Sequence, residues 1–105
     1  MNEMQVVQAL GALAQETRLR LFRLLVVDGE HGLTPGHMAD ALNVSPNTLS
    51  FHLKELSHAG LITSERDGRN LLYRAHFGVM SELLGFLTEK CCGGRPCLDA
   101  AVSCS

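Results

Sequence analysis

Apolar residues recur at helical spacing along most of this chain, and turn residues occupy the breaks between recurrences. Val6, Leu10 and Leu13 fall at i, i+4 and i+7, one apolar stripe of a first helix. ETRLRLFRLLVV predicts a second helix with Leu21, Leu24 and Leu25 inward and Arg18, Arg20 and Arg23 more exposed. DGEHGL then breaks the pattern with two glycines. In TPGHMADAL, Thr34 stands as N-cap and Pro35 at the first helical position, with Met38, Ala39 and Leu42 as the buried face. NVSPNTLSFHLKELSHAGLI repeats that signal. Ser45 caps, Pro46 follows, Leu49, Leu53 and Leu56 form the stripe, and Gly60 sits where a left-handed residue ends a helix. ITSER and LLYRA predict two short strands joined at Asp67 and Gly68. Met80, Leu83, Leu84 and Leu87 give a final helix an apolar face that ends near Lys90.

The predicted order is ααααββα, mainly α with a small β-hairpin. The third and fourth helices are joined through the tight link Asn43-Val44, so the fold class is a winged helix-turn-helix. At 105 residues there is room for one folded unit. Residues 1–90 are expected to make the winged helix-turn-helix domain, and residues 91–105 a cysteine-containing tail. A domain this small is only modestly stable alone, so some of its apolar surface is expected to be shared with a second copy. No apolar run approaches a membrane span. MNEMQVVQALGALAQE carries an acid and no Lys or Arg before its apolar stretch, unlike a secretory signal, so a reducing cytoplasm is expected. The formal charge of −2 means that DNA affinity has to come from local basic patches. No nucleophile–base pair, phosphate loop or paired-carboxylate pattern is present, which argues against an enzyme.

With its leucines turned inward, the fourth helix is left with Asn47, Thr48, Ser50, Phe51, His52, Lys54 and Glu55 outward. Short polar stems that both donate and accept suit base edges, and the major groove is wide enough for a helix. The free N–H groups of the first turn, beside Ser45, suit a phosphate. Arg66 and Arg69 flank the hairpin turn, with Arg74 following, and arginines at a loop tip can grip the sugar-phosphate backbone. A polar helix face is ordinarily only a solvated face. The short link and the basic hairpin beside it point to double-stranded DNA, with Ser45, Asn47, Thr48, Ser50, His52, Lys54, Arg66 and Arg69 as the contact set.

From LAQETRLRLFRLL through MADALNVSPNTLSFHLKELSHAGLI to RDGRNLLYRA, the chain resembles the arsenic-resistance repressor (ArsR/SmtB) family of bacterial metal-sensing transcription factors. The resemblance covers roughly residues 6–90. Ser50, His52, Leu53 and Leu56, Gly60-Leu61-Ile62, and Gly68, Arg69 and Tyr73 carry it in combination. It implies a homodimer through the first and last helices that sits on operator DNA and leaves when an inducer binds. It also implies two recognition helices about one DNA turn apart, on the order of 34–36 Å. Two departures stand out. Phe51 replaces the basic residue that many relatives place before the His-Leu pair, and the third helix lacks the cysteine pair of some arsenic sensors. His37 and Asp40 there are a weak ligand set for a soft ion, and His76 and Glu82 in the last helix read as surface residues rather than ligands.

All four cysteines fall after the last helix: Cys91, Cys92, Cys97 and Cys104. In a cytoplasmic protein such a cluster points to metal binding or redox chemistry. Thiolates select soft ions. On a continuing helix the side chains of Cys91 and Cys92 diverge by about 100°, so they converge on one ion only where the helix ends. Gly93 and Gly94 permit that turn and Pro96 prevents a restart. Cys91, Cys92 and Cys97 then form a pyramidal set that neutralises a trivalent ion, whereas zinc normally wants a fourth ligand. Trivalent arsenic is the expected inducer, with antimony similar, and no organic cofactor is expected. Inert thiols, a disulfide or persulfide switch, a zinc, cadmium or lead site, and a metalloid carrier that never meets DNA remain as alternatives.

Overall fold

A computed structural model describes residues 1–94. Its elements are α1 (Glu3–Leu13), α2 (Glu16–Asp28), α3 (Pro35–Leu42), α4 (Pro46–His58), β1 (Ile62–Asp67), β2 (Asn70–Ala75), α5 (Phe77–Thr88) and a single turn, α6 (Cys91–Gly94). The expected order holds, with that last turn added.

Local chemistry starts each helix. Asn2 and Gln5 close a reciprocal capping box at the head of α1, each side chain accepting from the other's backbone N–H at 2.8 Å. Thr34 and Ser45 cap α3 and α4 with a proline just inside, as their sequences predict. Asn43 makes the turn between them with φ 54, a left-handed conformation that asparagine tolerates. Gly60 has φ 77 two residues past the end of α4, where a side chain would be strained.

Leu21, Leu25, Met38, Leu49, Leu56 and Leu61 are the largest fully buried side chains. Val6, Ala9, Phe22, Leu53, Ile62, Ala75 and Leu83 join them in one cluster. Against α2 pack α1, α3, α4 and β2, so α4 rests on a rigid base. On α1 the inward pair is Val6 and Ala9, not the expected Val6, Leu10 and Leu13. Leu10 points outward and Leu13 is half-buried. Leu24 and Leu42 are half-buried rather than fully inward.

The strands pair antiparallel from Ile62↔Ala75 to Asp67↔Asn70. The loop is therefore Gly68-Arg69, one residue later than Asp67-Gly68, because Asp67 still pairs in the ladder. Gly68 takes φ 63 at the first loop position, which suits a tight two-residue hairpin. On the far side of β2, Leu33 and Tyr73 exchange two backbone hydrogen bonds at 3.0 and 2.9 Å, which fastens the hairpin to the chain before α3.

The final helix α5 packs on α1, but Leu83 is its one buried residue. Leu84, Phe86 and Leu87 are exposed, as are Met4, Val7 and Leu10 on α1. The apolar face predicted for the last helix is thus mostly uncovered within a single chain. No helix among the described residues is long and apolar enough to cross a membrane.

Candidate nucleic-acid interface and thiol pair

The cap of α4 organises its first turn. Ser45 Oγ accepts from Thr48 N–H at 3.1 Å and donates to Thr48 Oγ1 at 2.9 Å. The two hydroxyls hold each other in place at the helix entrance, and no acidic side chain occupies that turn. Pro46 carries no N–H and Thr48 N–H is held by the cap, so what this end offers an anion is mainly the positive end of the helix dipole. Beyond the cap, Asn47, Thr48, Ser50, Phe51 and Lys54 are all exposed. Glu55 is half-buried.

His52 does not lie on that face. Only 7% of it is exposed, on the same side as Leu49, Leu53 and Leu56. Its Nδ1 lies 3.4 Å from Arg18 Nη1, and Arg18 Nε donates to the Ala12 carbonyl at 2.7 Å. A guanidinium has only donors, so His52 Nδ1 accepts and the ring is neutral. Burial pushes the imidazole below its ordinary value, the Arg18 charge pushes it further the same way, and Glu55 opposes them. His52 therefore leaves the predicted base-contact set, and Arg18 is an internal strut between the last turn of α1 and α4 rather than an exposed charge. The sequence carried a hint, since residue 52 completes the i, i+3, i+4, i+7 stripe that begins at Leu49.

In the wing, Arg69 is exposed in the loop and Arg66 is exposed near the end of β1. Arg74 is committed elsewhere. It pairs with Glu65 at 2.7 Å and donates to the carbonyls of Glu30 at 2.8 Å and His31 at 3.3 Å. It braces the root of the hairpin and is not available to a phosphate. His76 caps α5 by accepting from Val79 N–H at 3.1 Å, and Glu82 lies 3.4 Å from the Met1 amine. His37 and Asp40 are exposed.

The helical path ends at Thr88, and Lys90, Cys92 and Gly93 take φ 57, 55 and 70. These left-handed residues redirect the chain and bring Cys91 Sγ and Cys92 Sγ to 3.6 Å. Two sulfurs bonded to one ion at about 2.3 Å and a near-tetrahedral angle lie roughly 3.75 Å apart. A narrower pyramidal angle brings them closer, so the spacing would suit a soft ion of either geometry once the Cys91 disulfide is reduced. Cys92 is a free, exposed thiol, and Cys91 is disulfide-bonded. Cys97 and Cys104 lie outside the described residues. Among the described residues, no group of three or more His, Cys, Asp or Glu side chains is placed to hold a metal.

A helix pair joined by a left-handed asparagine, with the second helix polar outward and an arginine-bearing hairpin after it, defines a winged helix-turn-helix nucleic-acid-binding protein. A family model described as a helix-turn-helix domain matches residues 13–65, about half of the chain. A Halobacterium salinarum protein bearing the name of an arsenical resistance operon repressor is 40% identical over 63 residues, 60% of this chain and 48% of that one. The chain thus spans about half the length of that relative. An ArsR-like transcriptional regulator from Rhodococcus sp. RHA1 superposes with a TM-score of 0.72 at 27% identity, covering 80% of this chain and 76% of that one. A homodimeric winged helix-turn-helix DNA-binding domain from Mycobacterium bovis gives 0.66 at 26% identity, covering 80% and 75%. The chain belongs to the ArsR/SmtB family of winged helix-turn-helix regulators, whose members are DNA-binding proteins rather than enzymes.

Proposed function

We propose that the chain is a cytoplasmic homodimeric repressor that holds operator DNA with α4 and the wing and lets go when Cys91, Cys92 and Cys97 bind trivalent arsenic or antimony. The observation that carries this reading is the 3.6 Å approach of the two vicinal sulfurs just beyond α5. A second support is the arsenical resistance in the name of the Halobacterium relative. On the DNA side, Ser45, Asn47, Thr48, Ser50 and Lys54 serve α4, and Arg66 and Arg69 serve the backbone beside the groove. Exposed apolar residues on α1 and α5 are the surface that a second copy covers.

The mechanism follows from charge and chain direction. Three thiolates balance a trivalent ion to neutrality, which avoids leaving net negative charge near the C-terminal end of α5. Binding draws the segment after Cys92 back toward the pair and re-sets the end of the dimer helix. A coupling of about 1–3 kcal/mol, or roughly 5–150-fold in operator affinity, is typical of such switches.

The test is fluorescence anisotropy of the reduced protein on DNA upstream of its own gene, titrated in parallel with arsenite, zinc and oxidant. Serine at position 91, 92 or 97 should leave operator binding intact and abolish the arsenite response. A full response from Cys97→Ser sinks the three-thiolate site, and a strong loss from Cys104→Ser points to a four-thiolate zinc-type site. Arsenite binding with no effect on any DNA complex supports a carrier instead. A redox switch has one observation in its favour, the disulfide-bonded state of Cys91. In that reading oxidant alone releases DNA, and arsenite acts no better than any thiol reagent.

A further inference from the structure

On α4 the buried side is Leu49, His52, Leu53 and Leu56. At 100° per residue, the direction opposite that side is occupied by Asn47, Phe51, Lys54 and His58. Phe51 is the apolar member of that ridge, one turn beyond Asn47 and one turn before Lys54. It is 55% exposed. Its one ring contact among the described residues is the edge of His52, with centroids 5.4 Å apart. Nothing in the core needs a phenyl group there. The other uncovered apolar side chains on α1 and α5 belong to different helices from this one. An aromatic ring at the centre of an otherwise polar recognition surface contributes no hydrogen bond. What it can recognise in the major groove is the apolar feature that a base edge presents there, the 5-methyl group of thymine.

We propose that Phe51 is a specificity residue that packs on the 5-methyl group of a thymine in each operator half-site. This rests on the DNA-binding reading above and adds a base preference to it. Asn47 and Lys54, one turn to either side, set the register with their own polar contacts, and Phe51 selects T·A at the position between them. The His52 edge restrains the ring, so the phenyl group enters the groove already oriented.

The experiment starts with duplexes enriched by the wild-type chain from a random-sequence library. Each thymine is then replaced singly by deoxyuridine, which removes only the methyl group. One position per half-site should weaken the wild type by about fourfold, the worth of one buried methyl. Phe51→Ala should bind the parent duplex correspondingly more weakly and be indifferent to deoxyuridine at that position. Phe51→Leu, which keeps an apolar group, should retain part of the discrimination. Phe51 is exposed, so circular dichroism should show both variants folded. Equal deoxyuridine penalties in wild type and Phe51→Ala, or no penalty at any thymine, overturn the proposal while leaving the repressor reading standing. Failure of the wild type to enrich any sequence overturns both, and retention of the folded dimer distinguishes that result from a damaged preparation.

Discussion

Arg18 joins two parts of the molecule that the local sequence does not connect. Its guanidinium spans from the Ala12 carbonyl, in the last turn of α1, to the His52 ring on α4. Lysine offers a point charge without that fork and cannot hold both partners in the same geometry. Arg18→Ala removes two charge-assisted contacts and leaves part-buried acceptors behind, so a loss of about 2 kcal/mol in urea unfolding is expected. The same pair makes stability sensitive to acid. The folded protein holds His52 below its ordinary value, mainly through burial, so the unfolded chain binds the proton more readily. Stability is therefore level above about pH 6.5 and falls as pH drops below it, until the folded-state ring protonates as well. His52→Leu should flatten that part of the acid limb, as read from urea midpoints between pH 5 and 7.5. A slope unchanged by the substitution assigns the acid sensitivity to other groups.

At the scale of elements, start and stop signals were legible and inward faces less so. Thr34-Pro35 and Ser45-Pro46 open α3 and α4 where read, because a capping oxygen and a fixed φ act within one turn and need no tertiary partner. The inward direction of His52 depends on an arginine 34 positions away, and that of Ala9 on close helix packing, so both contradict a reading that ranks residues by polarity or size. Arg74 and Arg69 look alike in sequence and differ in structure for the same reason. Arg74 is tied to Glu65 and two carbonyls, whereas Arg69 stands exposed at the loop tip. Arg69→Ala should weaken binding to all DNA sequences similarly and reduce the slope of log K against log salt by about 1, with unfolding unchanged. Arg74→Ala should instead lower stability by roughly 1–2 kcal/mol, through lost hydrogen bonds at the wing root. If both variants change the salt slope alone, the division between grip and brace is wrong.

Across the whole molecule, the unfinished surface matters more than the finished core. Val6 and Ala9 on α1 and Leu83 on α5, two helices that pack together, are buried, yet Met4, Val7 and Leu10, at three-residue steps on α1, stay exposed. So do Leu84, Phe86 and Leu87 on α5. Apolar side chains gathered on two mutually packed helices form the kind of patch that a partner covers. In the proposed dimer this patch links two recognition helices, and that linkage sets affinity. Once one α4 is seated, the second binds at an effective concentration fixed by the dimer, which typically adds 10²–10⁴ to the affinity of either alone. Leu84→Glu combined with Leu87→Glu places charge in the patch without touching the core or α4. The expected product is a folded monomer in analytical ultracentrifugation, with DNA affinity lower by about 100-fold or more. Val27→Glu is the control, because Val27 is the most exposed large apolar side chain among the described residues and lies on α2. That variant should remain dimeric with its affinity unchanged. A double variant that stays dimeric moves the interface off α1 and α5, and with it the route by which sulfurs after α5 reach the recognition helices.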